Sequence, residues 1–283
     1  MELVRLLGEG SYGTIHEAHG PEGVVALKLL RKDRQTRQMT ARFRREAEVL
    51  AACDHPHVVA LKTPVHEFEG TLAFAMEYLP GGDLTGEVTD VFPLGKALAE
   101  ALDHVHAKGF LHRDLSLKNV LRDAEGRPKL TDFGLCKPLE ASDGDTPNFW
   151  FAHGDPEFAA PERLFHIESG EAGDAYSLGA VLHRLATRQS LFALGQLSYL
   201  YNVYTRQMEQ FNRTCLGQGL PCPKVDFRAV YDYYLTKAPP VEPCGPPGLA
   251  EVLADLLEPD YWKRLRRFGS LAGVAERLGE LSG

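Results

Sequence analysis

One stretch constrains this chain more than any other: His112 to Gly134, which reads HRDLSLKNVLRDAEGRPKLTDFG. An acid, Asp114, is followed five residues on by an amide, Asn119. A second acid, Asp132, comes thirteen residues later, directly before Phe133 and Gly134. Val120-Leu121 and Lys129 to Thr131 have strand character, and the turn residues Asp123 to Pro128 separate them. The expectation is a hairpin that returns Asp132 to the neighbourhood of Asn119. A carboxylate and a carboxamide held that way are hard oxygen ligands of the kind Mg²⁺ takes, with coordination positions left for phosphate oxygens. Asp114 is then left to orient a hydroxyl nucleophile.

Bulk properties exclude several classes. With 283 residues, 44% hydrophobic and 25% charged, the chain can bury roughly three quarters of its unfolded surface, as one large domain or two coupled lobes. A net charge of −8 argues against nucleic acid as the main partner. No apolar run approaches the ~18 residues of a transmembrane helix. The start, MELVRLLGEG, has an acid at position 2 and too short an apolar core for a signal peptide. Five widely spaced cysteines fit a reducing cytoplasm. Cys215, Cys222 and Cys244 lack the close pairs of usual zinc sites.

Residues 2 to 28 alternate strand, turn, strand, turn, strand, with Gly8-Glu9-Gly10-Ser11-Tyr12-Gly13 as the first turn. By itself GxGxxG is weak. In a dinucleotide-binding fold it opens a helix; here Thr14 to Ala18, a turn at Gly20 to Gly23, and Val24 to Lys28 follow. That is a hairpin, whose glycine-rich turn would cap phosphates with backbone N–H groups, Gly13 and its neighbours admitting a backbone approach that a Cβ would block. Lys28 ends the apolar run and would by default face solvent. A function for it needs a carboxylate. In a helix over Thr40 to Ala52, Phe43, Ala47 and Leu50 share a face, Glu46 lies on that face, and Glu48 points away. An acid on an apolar stripe calls for a cation, so Glu46 is the expected partner of Lys28. The basic run Arg31 to Arg45 is read as a solvated loop and outer helix face. Leu94 to Lys108 has helical spacing and ends at Gly109.

Taken together, HRD with Asn119, DFG, the glycine-rich turn, Lys28 and Glu46, Ala160-Pro161-Glu162, and Asp174 to Gly179 resemble the protein kinase family over residues 3 to 278, thinning after 190. The resemblance implies an α+β, two-lobe fold. A small, mainly antiparallel β N-lobe with one helix (1–76) leads through a hinge (77–83) to a larger, mainly helical C-lobe (84–283). It implies ATP and Mg²⁺ as cofactors, a protein as substrate, Asn119 and Asp132 as metal ligands, and Asp114 as the residue that orients and deprotonates the acceptor hydroxyl. Gly8, Gly10, Ser11 and Gly13 would cover the phosphates. Ile15, Ala26 and Leu121 would sandwich adenine, the backbone of Glu77 and Leu79 would hydrogen-bond it, Met76 would line the back of the pocket, and Asp83 would reach the ribose. His112 would pack on Phe133, Leu50 and Leu61. Arg113 would receive a carboxylate, or a phosphate on Thr146 or Ser142, from the acidic segment that follows. Glu162 would pair with Arg264, and Asp174 would bond the backbone around His112 and Arg113.

Two departures stand out. Ser116 occupies the place where serine/threonine kinases put a lysine on the γ-phosphate, and Lys118 the place where many put a glutamate. Gly154 to Phe158 resembles the serine/threonine segment, with Asp155 in place of threonine. Lys118 would then take over the γ-phosphate, with Asp155 beside it, against the plainer reading of a solvent-facing lysine. Three functions remain open: a protein kinase, with Ser/Thr favoured over Tyr; a pseudokinase that only binds; and a small-molecule phosphotransferase. Residues 191 to 247 carry no motif.

Overall fold

The computed structural model describes residues 1–10, 12–21, 23–86, 90–139, 155, 157–164, 169–191 and 245–283. The chain divides into two compact units, Met1–Ser142 with Phe268–Gly283, and Asp143–Arg267. The architecture is α+β, with an antiparallel sheet first and helices after it. Among the described residues no helix is long and apolar enough to cross a membrane.

The first unit begins with β1 (Glu2–Glu9), β2 (Gly13–Gly20), β3 (Gly23–Leu30), β4 (Leu61–Phe68) and β5 (Thr71–Glu77), ordered β1-β2-β3-β5-β4. The expected hairpin closes where Gly20 pairs with Gly23, which supplies a φ of +118° that a side chain would resist. Alternation along β3 decides the rest. Val25 and Leu27 join Ala18, Ala73 and Ala75 in a core cluster, with Leu3, Leu29 and Phe68 against it. Ala26 and Lys28 take the other face, opposite Met76 and Phe74. Onto Phe74 packs Phe43 of α1 (Arg37–Ala52), ring centroids 4.9 Å apart.

Helix α1 starts three residues before the expected Thr40, because Thr36 caps it: its Oγ1 accepts the Met39 N–H at 3.2 Å. In the same way α2 (Val91–Ala107) starts ahead of Leu94, on an Asp90 cap, with Pro93 tolerated in a first turn that has no use for its N–H. Strand β4 was not foreseen. Its residues, LKTPVHEF, include a proline, and its register against β5 is interrupted. Further along come β6 (Phe110–Leu111), β7 (Val120–Arg122), β8 (Pro128–Leu130) and β9 (Lys137–Pro138), with β7 paired to β8 and β6 to β9. The β7–β8 turn is tied by Asp123, whose carboxylate accepts the N–H groups of Glu125 and Arg127 and the Arg127 guanidinium at 2.7 Å.

The second unit contains α3 (Pro161–Leu164), α4 (Glu171–Thr187) and α5 (Leu249–Leu256); α6 (Leu271–Leu281) returns to the first unit and packs on α2. A Cβ on Gly179 would come within 2.8 Å of Leu256, so α4 and α5 meet where only glycine fits. The expected Glu162–Arg264 pair is present and fully buried, at 2.7 and 3.1 Å.

Candidate active site

The hairpin brings the chemistry-bearing residues together as the local sequence dictates. Asn119 ends a one-turn helix, Leu117–Asn119, and stands across the ladder from Thr131, whose N–H and Oγ1 both donate to the Asn119 carbonyl, at 2.8 and 3.0 Å. Asp132 is the next residue. The Asn119 side-chain amide donates to Asp114 twice, to its carbonyl at 2.8 Å and to Oδ2 at 2.9 Å. With its nitrogen committed, Asn119 directs its other side-chain atom, an oxygen, away from Asp114. Asp132 adopts a left-handed backbone (φ 58°), uncommon for a residue with a side chain, and its Oδ1 accepts the Gly134 N–H. Space at Gly134 is tight: a Cβ would lie 3.2 Å from Asp132 Oδ1 and 3.5 Å from Glu46 Oε2.

Lys28 joins this group from the sheet. Its Nζ is 2.5 Å from Glu46 Oε1 and 3.5 Å from Asp132 Oδ1. The expected choice of Glu46 over Glu48 holds, since Glu46 is buried and Glu48 exposed. Burial alone would pull the Lys28 pKa down, but the two carboxylates outweigh it and raise it. Burial holds Glu46 above the usual carboxylate range, with Asp132 adding to the effect and Lys28 opposing it. The Lys28 ammonium holds Asp132 below that range, so Asp132 remains ionised, with its side chain about half exposed. His112 meets Phe133 edge-on at 4.8 Å, not stacked flat, and its Nε2 lies 3.0 Å from the Thr131 carbonyl.

The other expected residues fall as follows. The Glu77 N–H donates to the Ala60 carbonyl at 2.8 Å, which leaves its carbonyl as the backbone group for the expected adenine contact. The Glu77 side chain meets Lys129 at 2.8 Å, a long-range ion pair with no local sequence signal. Leu79 and Met76 are buried. Gly81 and Gly82 exchange backbone hydrogen bonds with Arg122, and Asp83 bridges to Leu121, so those two candidates adjoin. Thr85 donates to Asp83 Oδ1 through its N–H and hydroxyl. Ile15 pairs with Lys28, and Ala26 with Met76.

Gly13 has a close neighbour within the sheet as well. A Cβ there would meet the Leu29 carbonyl at 2.6 Å, so the close approach it permits is that of β3. Gly8 has open space around it, and Gly10 only the Gly13 carbonyl at 3.8 Å. Ser11 lies outside the described residues, as do Ser142, Thr146 and the cysteines at 215, 222 and 244. Lys118 sits in the turn before Asn119, while Ser116 is buried. Asp155 belongs to the second unit and closes a turn of its own, accepting the Glu157 N–H at 3.1 Å. Sequence reasoning also missed Arg5, which reaches from β1 to the Tyr78 hydroxyl at 2.9 Å.

Comparison with known proteins agrees with this geometry. Residues 1–269 match the protein kinase domain. Over 199 residues the chain is 34% identical to ribosomal protein S6 kinase alpha-2 of Homo sapiens, covering 66% of this chain and 27% of that protein. It is 32% identical over 211 residues to protein kinase 2 of Dictyostelium discoideum, covering 71% and 43%. Over 195 residues it is 33% identical to NUAK family SNF1-like kinase 2 of Rattus norvegicus, covering 65% and 30%. The chain thus spans less than half the length of each relative. A match over nearly the whole chain, together with an acid, an amide and a lysine–glutamate pair gathered on one hairpin and sheet, places this chain in the protein kinase family.

Proposed function

We propose that this protein kinase domain is ATP-dependent and transfers the γ-phosphate to a serine or threonine hydroxyl of a protein. The observation that carries this reading is the Lys28 ammonium, 2.5 Å from Glu46 and 3.5 Å from Asp132. A lysine so held presents a fixed cation for the α- and β-phosphates. Asn119 and Asp132 offer one neutral and one anionic oxygen ligand. No group of three or more His, Cys, Asp or Glu among the described residues could hold a metal. A pair of oxygen ligands completed by phosphates and water suits Mg²⁺, which keeps several waters and binds through few carboxylates. When bound, Mg²⁺ would neutralise charge on the transferring phosphates.

Asp114, its Oδ2 steered by the Asn119 amide, would align the acceptor hydroxyl and take its proton, worth roughly 10²- to 10⁴-fold. Lys118 would supply the cation that Ser116 does not, and Lys118→Ala should slow transfer far more than it weakens ATP binding. Ile15, Ala26, Met76, Leu79 and Leu121 would enclose adenine, with Asp83 at the ribose. The serine/threonine assignment rests on the sequence segment Gly154 to Phe158, and relatives named as ribosomal protein S6 kinases support a protein acceptor. Cys53 and Cys136, both buried and outside any disulfide, accord with a reducing compartment such as the cytoplasm.

Buried Ser116 favours one competing reading, a pseudokinase. Phosphoamino-acid analysis after incubation with labelled ATP and generic protein acceptors tests both. The kinase reading expects phosphoserine or phosphothreonine, lost in Asp114→Asn. Tight ATP binding with no incorporation would leave the pseudokinase.

A further inference from the structure

The glycine-rich loop and the helix that carries Glu46 are joined by a contact that the phosphate chemistry does not call for. Tyr12 lies in that loop. Its ring centroid is 5.7 Å from Arg42 Cζ, and its hydroxyl is 3.5 Å from Arg42 Nη1. Arg42 belongs to α1, four residues before Glu46, so the two occupy neighbouring positions on one helix face. Glu46 holds Lys28, and Lys28 Cε is 3.8 Å from where a Cβ of Gly13 would be. The loop is anchored to β3 as well, by the Arg31 N–H donating to the Tyr12 carbonyl at 3.0 Å. A closed circuit results, from loop to Arg42, along α1 to Glu46, to Lys28, and along β3 back to the loop.

Arg42 occupies this place at a cost. It is half-buried, and burial with the charge of nearby Arg45 pulls its pKa down. An aromatic face beside a partly desolvated guanidinium offsets that cost, and arginine suits such a face better than lysine.

We propose that Arg42 is a positioning residue for nucleotide binding: by holding the Tyr12 ring it fixes the glycine-rich loop over the phosphates and couples the loop to the helix that places Glu46. This rests on the ATP-dependent reading above. In this role Arg42 acts through Tyr12. The coupling also makes the loop and α1 move as one body, so a ligand that closes the loop would favour the Lys28–Glu46 pair.

The test combines kinetics with a measurement that needs no turnover. Arg42→Ala and Tyr12→Ala should each raise KM for ATP about fivefold, with kcat changed less than about twofold, as a partly desolvated cation–π contact warrants. The double variant should be no worse than either single one, because both remove the same contact. Tyr12→Phe and Arg42→Lys should raise KM less than the alanine variants do. In nucleotide-free protein, Arg42→Ala should also speed hydrogen exchange at the Tyr12 and Gly13 amides while leaving the melting temperature in place. Unchanged KM in both single variants, multiplicative effects in the double, or unchanged exchange at those amides would each overturn the proposal. Failure of the wild type to bind ATP would refute the kinase reading, and the exchange measurement would still decide whether Arg42 holds the loop.

Discussion

Two buried ion pairs, one in each unit, differ in a way that separates scaffold from site. Arg264 and Glu162 are both fully buried, and Arg264 uses all five of its N–H donors: two to Glu162 and the rest to the carbonyls of Ala172, Glu258 and Pro259. Its guanidinium also lies 4.9 Å from the Tyr176 ring centroid. Nothing is left over for a ligand. Lys28 and Glu46 are nearly as buried, yet one ammonium faces two carboxylates, and the second, Asp132, is about half exposed. Charge there is out of balance, and an incoming cation would restore it. Saturation marks the clamp and imbalance marks the chemistry. Neither pair would be distinguished by burial alone.

The largest effect should come from breaking the saturated clamp. Glu162→Ala leaves a buried guanidinium with no counter-charge and should cost about 3–5 kcal/mol, read as a lower denaturant midpoint. Arg264→Lys keeps the charge pair and should cost less, but still lower the midpoint, since an ammonium has three donors for five acceptors. Lys28→Met should invert the pattern. Phosphate transfer should fall by more than about 100-fold, the scale for losing one preorganised charge, while the midpoint moves less than in Glu162→Ala. A midpoint loss as large in Lys28→Met as in Glu162→Ala would erase the distinction.

The pH dependence sharpens the same contrast. Asp132 has a depressed pKa in the folded state, so its contribution is present above the unfolded carboxylate pKa of about 3.9 and is lost as pH falls through the lower folded value. Glu46, raised by burial, works in the opposite sense. Removing Lys28 would lift both carboxylates, so Lys28→Met should lose less stability than wild type as the medium is acidified below about pH 4. Acid titration of the two proteins by circular dichroism reads this directly, and parallel curves would count against the Lys28–Asp132 interaction. The smallest effect belongs to an exposed pair. Arg127, with its side chain 62% exposed, gains little net stability through Asp123, so Arg127→Ala should leave the midpoint nearly in place.

What the sequence made legible follows the range of the interactions. The Asn119–Asp132 hairpin, the Gly20–Gly23 turn and the inward face of Glu46 are written in local spacing, and each is found where spacing puts it. Helix starts were misplaced by three residues because a cap, Thr36 or Asp90, lies outside the apolar stripe that defines the helix. Strand β4 escaped because Pro64 and alternating polar residues read as loop, and only its neighbour β5 makes it a strand. Glu77–Lys129 and Arg5–Tyr78 join residues 52 and 73 apart in sequence, where no periodicity could link them. That Gly13 also admits the backbone of β3 depends on strand pairing and is not legible from the turn alone.

The central claim is that Asn119 and Asp132 form a metal site that needs a nucleotide to complete it. Calorimetric titration of ATP with and without Mg²⁺, in wild type and in Asp132→Asn, addresses it most directly. Mg²⁺ should tighten ATP binding to the wild type, and most of that gain should vanish in the variant. Equal affinities with and without Mg²⁺ in the wild-type protein would contradict the account.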